Sequence, residues 1–155
     1  MRYAIGCDHA GYPLKEPLVE ELEGRGHVVI DMGTNGFASV DYPTFALRVG
    51  RAIVAGEADL GVLICGTGTG MAIAANKIEG IRAVSVSEAF SARMARAHND
   101  ANILCLGARV LGSGAAVDVL RAWLETDFEG GRHQRRVEML AEIATCPEPR
   151  VEELT

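Results

Sequence analysis

The feature that most constrains this chain is the stretch from Gly61 to Lys77, GVLICGTGTGMAIAANK. Val62, Leu63, Ile64 and Cys65 follow one another without polar alternation, the pattern of a strand buried on both faces. Gly66, Gly68 and Gly70 then interleave with Thr67 and Thr69, and an alanine-rich run of helical character follows. Strand, glycine loop and helix start aim several backbone N–H groups at one anionic point, and here a cysteine stands at the mouth of that cradle. The bland alternative is a tight strand-to-helix turn in which glycine supplies only positive φ. Two common phosphate signatures do not fit. A dinucleotide fingerprint needs glycine where Met71 stands, and a P-loop needs Gly-Lys-Ser/Thr at its end, whereas no lysine precedes Lys77.

Strand and helix patterns alternate on both sides of this unit. Arg2 to Cys7 reads as a strand ending in Asp8-His9-Ala10-Gly11. Leu14, Leu18, Val19 and Leu22 fall at helical spacing, which places Pro17 in the helix's opening turn if no hydrogen bond is to be lost. His27 to Asp31 is a second strand, Gly33 to Asp41 a polar loop, and Pro43 to Ala55 a helix. After the central unit come a strand over 83–86, a helix to His98, a strand over 103–106, and helices over 115–124 and 132–144. This alternation predicts an α/β fold, a Rossmann-like three-layer αβα sandwich with a five-stranded parallel sheet. One domain over 1–146 accounts for the length, with 147–155 expected as a flexible tail.

A formal charge of -6 disfavours nucleic acid and anionic membranes as partners. No secretory signal or transmembrane-length apolar run is visible, so the expected location is cytoplasmic. Cys7, Cys65, Cys105 and Cys146 are widely spaced, without a C-x-x-C pair, and read as reduced thiols with no metal to bind. Cys7 and Cys105 read as small packing residues at strand ends. Cys65 differs because it precedes a helix N-terminus, a position that lowers thiol pKa and suits the thiolate to act as nucleophile or base.

Ligands of open parallel sheets bind beyond the carboxyl ends of the strands, which gathers Asp8, His9 and the Cys65–Gly70 loop on one edge. His98 poses a puzzle. Its helix returns toward the opposite edge, so His98 is either structural or serves the site of a second subunit. Arg132 and Arg136, at i and i+4 with His133 and Arg135 nearby, suit a phosphate through planar charge-assisted hydrogen bonds, or else form a solvated face.

Seven segments occur in order: GCDHAG from Gly6, DYP from Asp41, CGTGTG from Cys65, IAANK from Ile73, GIRA from Gly80, HNDAN from His98 and GGRHQRR from Gly130. Together they resemble the ribose-5-phosphate isomerase B family, the RpiB/LacAB sugar-phosphate isomerases, over residues 2 to 145. The resemblance implies an aldose–ketose isomerase of the pentose phosphate pathway, interconverting D-ribose 5-phosphate and D-ribulose 5-phosphate through an enediolate. It implies no metal or nucleotide cofactor. Cys65 would be the base that moves a proton between C2 and C1, Thr67 would hydrogen-bond at that centre, and the N–H groups of Gly66, Thr67, Gly68, Thr69 and Gly70 would stabilise the enediolate. His98 would open the furanose ring with help from Asp8. His9, Arg132 and Arg136 would hold the phosphate, and Tyr42, Asn99 and Arg109 would contact substrate. The family implies homodimers, or dimers of such dimers, with shared active sites, which answers the His98 puzzle.

One branch of the family has a glutamate base where Met71 stands and lacks the cysteine, so this chain resembles the cysteine branch. The rival readings are an isomerase of a six-carbon sugar phosphate (allose 6-phosphate or galactose 6-phosphate), a cysteine-nucleophile enzyme and a phosphosugar-binding module. The Gly33–Val40 loop is expected to help set sugar length.

Overall fold

The apolar run of the central unit becomes the middle strand of the sheet, buried at every position from Leu60 to Cys65. The computed structural model describes residues 1–145; the expected tail and Cys146 lie outside the described residues. In chain order the elements are β1 (Arg2–Cys7), α1 (Tyr12–Gly24), β2 (Val28–Asp31), α2 (Tyr42–Val54), β3 (Leu60–Cys65), α3 (Thr69–Ala75), β4 (Ala83–Ser85), α4 (Ala89–Asn99), β5 (Ile103–Gly107), α5 (Ser113–Leu124) and α6 (Arg132–Thr145). All strand pairs are parallel, in the order β2-β1-β3-β5-β4. The expected five-stranded α/β sandwich is what forms.

Side-chain alternation along the strands divides the core into two layers. Val62, Ile64, Leu104 and Leu106 join Tyr3 and Ile5 under α1, α4 and α5, with Leu18, Leu22, Ala92, Leu120 and Trp123. Leu63, Cys65, Ile103 and Cys105 face the other way, under α2 and α3, with Phe45, Val49, Met71 and Ala75. Gly6 and Gly61 let α2 approach closely, since a Cβ at either would stand 2.8–2.9 Å from a Val49 methyl. No helix among the described residues is long and apolar enough to cross a membrane.

The helix starts differ from the reading in two places that matter. Residues Tyr12 onward already belong to α1, so Pro13 occupies the first turn and Pro17 lies inside the helix. The carbonyl four residues before Pro17 therefore loses its helical donor, a cost the buried Leu14, Leu18 and Leu22 offset. The short helix α3 begins only at Thr69, with Gly68 as its N-cap. Cys65 is thus separated from the helix by a three-residue loop rather than opening it. At the end of α4, Asp100 adopts a left-handed conformation (φ 45°). Arg82 and Arg96 hold its carboxylate at 2.8 and 3.0 Å, which offsets that strain and fixes where the last turn of α4 ends.

Candidate active site

Register places the chemistry. Cys7 pairs with Ile64 and Cys65 with Gly107, so the segments after β1, β3 and β5 emerge side by side at the carboxyl edge. The turn after β1 is seated on β3: Asp8 N–H donates to the Ile64 carbonyl at 3.2 Å. Gly11 presses so closely on the Ile64 carbonyl that no Cβ fits between them. Asp8 is buried and its Oδ1 accepts the Gly11 N–H at 2.8 Å, which presents a fixed carboxylate beside the end of β3. His9 Nδ1 accepts the Val40 N–H at 3.2 Å, which leaves its Nε2 to carry the proton and ties this turn to the β2–α2 loop.

The buried Cys65 thiol lies at the base of the glycine loop, where Gly68 N–H donates to Sγ at 3.1 Å. Gly68 reaches that position at φ +80°, open to glycine at little cost. The donor that meets sulfur is therefore this one turned amide rather than the dipole of a helix that starts four residues on. Thr67 is exposed; its Oγ1 accepts from Thr69 N–H at 3.4 Å and its carbonyl accepts from the Ser85 hydroxyl at 3.4 Å. The Tyr42 ring lies against Gly70, and Arg109 is bonded through its N–H to the Gly66 carbonyl at 3.0 Å with its side chain over Gly66. Asp8, His9, Tyr42, Cys65, the 66–70 loop and Arg109 are thus brought together on one edge.

The other two cysteines fit their packing role. Burial pushes the Cys7 thiol up to about 11, and full burial with Cys65 nearby pushes Cys105 up as well.

The remaining candidates lie elsewhere. The Asn99 carbonyl accepts from Arg82, the residue just before β4, so the end of α4 sits at the amino edge of the sheet. Edge to edge is a strand length, about 15 Å. There His98 stacks on His133 with ring centroids 4.2 Å apart and planes 4° from parallel. Arg132 donates through Nε to His133 Nε2 at 3.3 Å, and Arg136 lies one turn along α6. Within one chain, His98, Asn99, Arg132 and Arg136 do not meet Cys65.

Sequence reasoning missed three contributors. Glu129 places a carboxylate oxygen 3.8 Å from His98 Nε2 and 3.7 Å from His133 Nε2, and no periodicity links residues 31 positions apart. The buried Lys15 donates to Asp31, to the Thr34 carbonyl and to Asn35, each at 2.8 Å, and so pins the loop that reaches His9. Ser85 closes a cavity of about 250 Å³ behind Thr67, lined also by Ser87, Glu88, Ser91 and Val110. That cavity holds none of Asp8, His9 and Cys65 and no cation, so it adjoins the cradle without being part of it.

His98, Glu129 and His133 are the one group among the described residues with three metal-ligand atoms within 4.8 Å of one another. Their geometry does not suit an ion. Parallel rings cannot point two in-plane lone pairs at one centre, and the lone pair of His133 Nε2 already faces an arginine.

A parallel α/β sheet with a thiol, a carboxylate and a backbone-amide loop at its carboxyl edge is an arrangement suited to acid–base chemistry on a small anionic molecule. The Ribose/Galactose Isomerase family matches residues 3–140. Ribose-5-phosphate isomerase B of Escherichia coli is 51% identical over 142 residues, covering 92% of this chain and 95% of that protein. The structure of the Clostridium thermocellum ribose-5-phosphate isomerase B is 52% identical with a TM-score of 0.92, covering 94% of this chain and 98% of that one. The Mycoplasma genitalium enzyme, solved with bound ribulose-5-phosphate, is 39% identical with a TM-score of 0.88 and covers 93% of this chain and 96% of that one. The chain belongs to the ribose/galactose isomerase family.

Proposed function

We infer that this protein is a ribose-5-phosphate isomerase interconverting D-ribose 5-phosphate and D-ribulose 5-phosphate, a cytoplasmic step of the pentose phosphate pathway. The observation that carries the reading is the Cys65 thiol under the Gly68 amide, beside the Asp8 carboxylate, in a member of this family.

In the reaction, His98 protonates the ring oxygen as Asp8 accepts the proton of the C1 hydroxyl, which opens the furanose to the aldehyde. The Cys65 thiolate removes the proton on C2. Charge develops on the carbonyl oxygen, and the amides of residues 66–70 stabilise it before water can reorganise around it. Asp8, with Thr67 hydrogen-bonded at this centre, shifts the hydroxyl proton between O2 and O1. Cys65 then returns a proton to C1, leaving the ketone at C2. The thiol ends as it began, the proton left on Asp8 by ring opening is released to solvent as His98 takes one up, and no redox partner is consumed. His9 Nε2–H, Arg132 and Arg136 hold the phosphate, and Asn99, Arg109 and Tyr42 fix the sugar.

This assignment needs two copies of the chain, because His98, Asn99, Arg132 and Arg136 stand at the amino edge and Cys65 at the carboxyl edge. A homodimer that apposes the two edges completes two sites. Phe37, Tyr42, Phe90 and Val110, exposed large side chains all lying beyond the carboxyl ends of strands, support burial of that edge by a second copy.

The test is NMR observation of ribose 5-phosphate, allose 6-phosphate and galactose 6-phosphate with the wild-type protein. Conversion of the pentose alone, or far faster, is expected. Preference for a six-carbon phosphate would transfer the chemistry to that substrate and make the β2–α2 loop the determinant of length. For the shared site, Cys65→Ala and His98→Asn chains are each inactive alone. Mixed after unfolding and refolding together, they regain up to about one quarter of wild-type activity by the statistics of pairing, and no recovery contradicts a shared site.

A further inference from the structure

We propose that His133 is a positioning residue that couples two arms of the site, holding Arg132 for the substrate's phosphate and seating the His98 imidazole on its own ring. The proposal deepens the reading above and rests on the roles given there to Arg132 and His98.

Two contacts, the Arg132 hydrogen bond and the His98 stack, converge on this side chain. It is buried, an unusual place for a histidine in the first turn of a helix whose neighbours Arg132, Gln134 and Arg135 are exposed. The chain arrives there through Gly130 and Gly131, at φ +64° and +56°, and His133 N–H donates back to the Gly130 carbonyl at 3.0 Å. That tight entry turns the His133 ring inward onto α4. Its Nε2 accepts the Arg132 Nε–H at 3.3 Å, so the ring proton sits on Nδ1 and the imidazole is neutral. Desolvation, with His98, Arg132 and Arg136 nearby, lowers its readiness to take a second proton, against the opposing pull of Glu129.

The consequences differ for the two partners. A guanidinium held through Nε keeps both terminal nitrogens free, and these form the fork that grips phosphate. The face-to-face stack gives His98 a flat, uncharged seat. Two stacked imidazoliums would repel, so a neutral His133 is the form that suits the stack. Glu129, at 3.7–3.8 Å from both Nε2 atoms, is too far to hydrogen-bond either and supplies only a counter-charge at their edge.

Two substitutions separate the arms. His133→Phe keeps an aromatic platform and removes the acceptor, whereas His133→Gln keeps an acceptor near the Nε2 position and removes the platform. His133→Phe is expected to raise KM for ribose 5-phosphate about tenfold with kcat within about twofold. His133→Gln is expected to lower kcat about tenfold with KM little changed. The spectroscopic readout needs no turnover. With only four histidines in the chain, the His98 ring protons are assignable by proton NMR using His98→Asn. Their upfield ring-current shift persists in His133→Phe and relaxes in His133→Gln. Inorganic phosphate, titrated by NMR, binds about tenfold more weakly to His133→Phe and unchanged to His133→Gln.

Equal changes in both variants, or no change in either, overturn the proposal, as does a His98 shift indifferent to both. If the wild type isomerises no phosphosugar, the functional reading fails, while the ring-current and phosphate titrations still decide whether His133 couples the two side chains.

Discussion

Gly68→Ala is the sharpest perturbation of the cradle. At φ +80° an alanine carries the left-handed penalty, about 1–2 kcal/mol. Its Cβ would also stand 3.1 and 3.2 Å from the carbonyl carbons of Leu106 and Cys105 and 2.8 Å from the Ser85 hydroxyl. Ser85 can rotate away, but β5 lies between β3 and β4 and its backbone cannot. The loop must therefore yield, adding about 1–2 kcal/mol of overpacking. A total near 3 kcal/mol lowers Tm by about 6–12 °C for a domain of this size. The same shift withdraws the amide now 3.1 Å from Cys65 Sγ, and losing one such donor costs about 10²-fold or more in kcat. Circular dichroism melting and an NMR rate measurement give both numbers. Gly24→Ala, where nothing lies within 4 Å of the added carbon, serves as control and leaves both within error. A Gly68→Ala protein with wild-type Tm and kcat would refute the reasoning.

Three further outcomes are expected. Glu21 is held down to about 2 by Arg121 and Arg25, so its contribution is full above its ordinary value of 4.5 and disappears as pH falls toward 2. After allowance for screening, Glu21→Gln costs about 1 kcal/mol in urea unfolding at pH 7 and almost nothing near pH 2. A gap that widens on acidification would be the wrong sign. Among Cys7, Cys65 and Cys105, brief iodoacetamide treatment at pH 8 should modify Cys65 first, with Cys7 and Cys105 reacting only on unfolding, as peptide mass spectrometry would show. Asn76 clamps β4 to the end of α3, donating to the Ala83 carbonyl and accepting its N–H, both at 2.8 Å. Asn76→Ala, which strands both backbone groups, lowers stability by about 2 kcal/mol in the same unfolding assay.

Much of this molecule was legible in its sequence because the signals were local. An unbroken apolar run specifies β3, helical spacing of Leu14, Leu18 and Leu22 specifies α1, and the rule for open sheets brings Asp8 and His9 to the Cys65 loop. The reach of α4 to the amino edge was also legible, since it needs only the antiparallel return of a helix in a parallel sheet. What stayed hidden depends on contacts between distant segments. Pro17 lies deeper than the opening turn because Tyr12 and Pro13 already have helical backbone. Cys65 was set against a helix end, although the helix waits until Thr69 and one turned amide meets the sulfur. The Glu129 carboxylate, the His98–His133 stack and the three bonds of Lys15 arise where loops cross, and no spacing in the sequence announces such crossings.

The central claim is that Cys65 is the base. Wild type and Cys65→Ala, each incubated with ribose 5-phosphate in heavy water and followed by proton and carbon NMR, test it directly. Ribulose 5-phosphate forms with the wild type, and the variant, folded by circular dichroism, converts it at least about 10³-fold more slowly. Undiminished conversion by Cys65→Ala would contradict the account and move the base to another residue of the carboxyl edge.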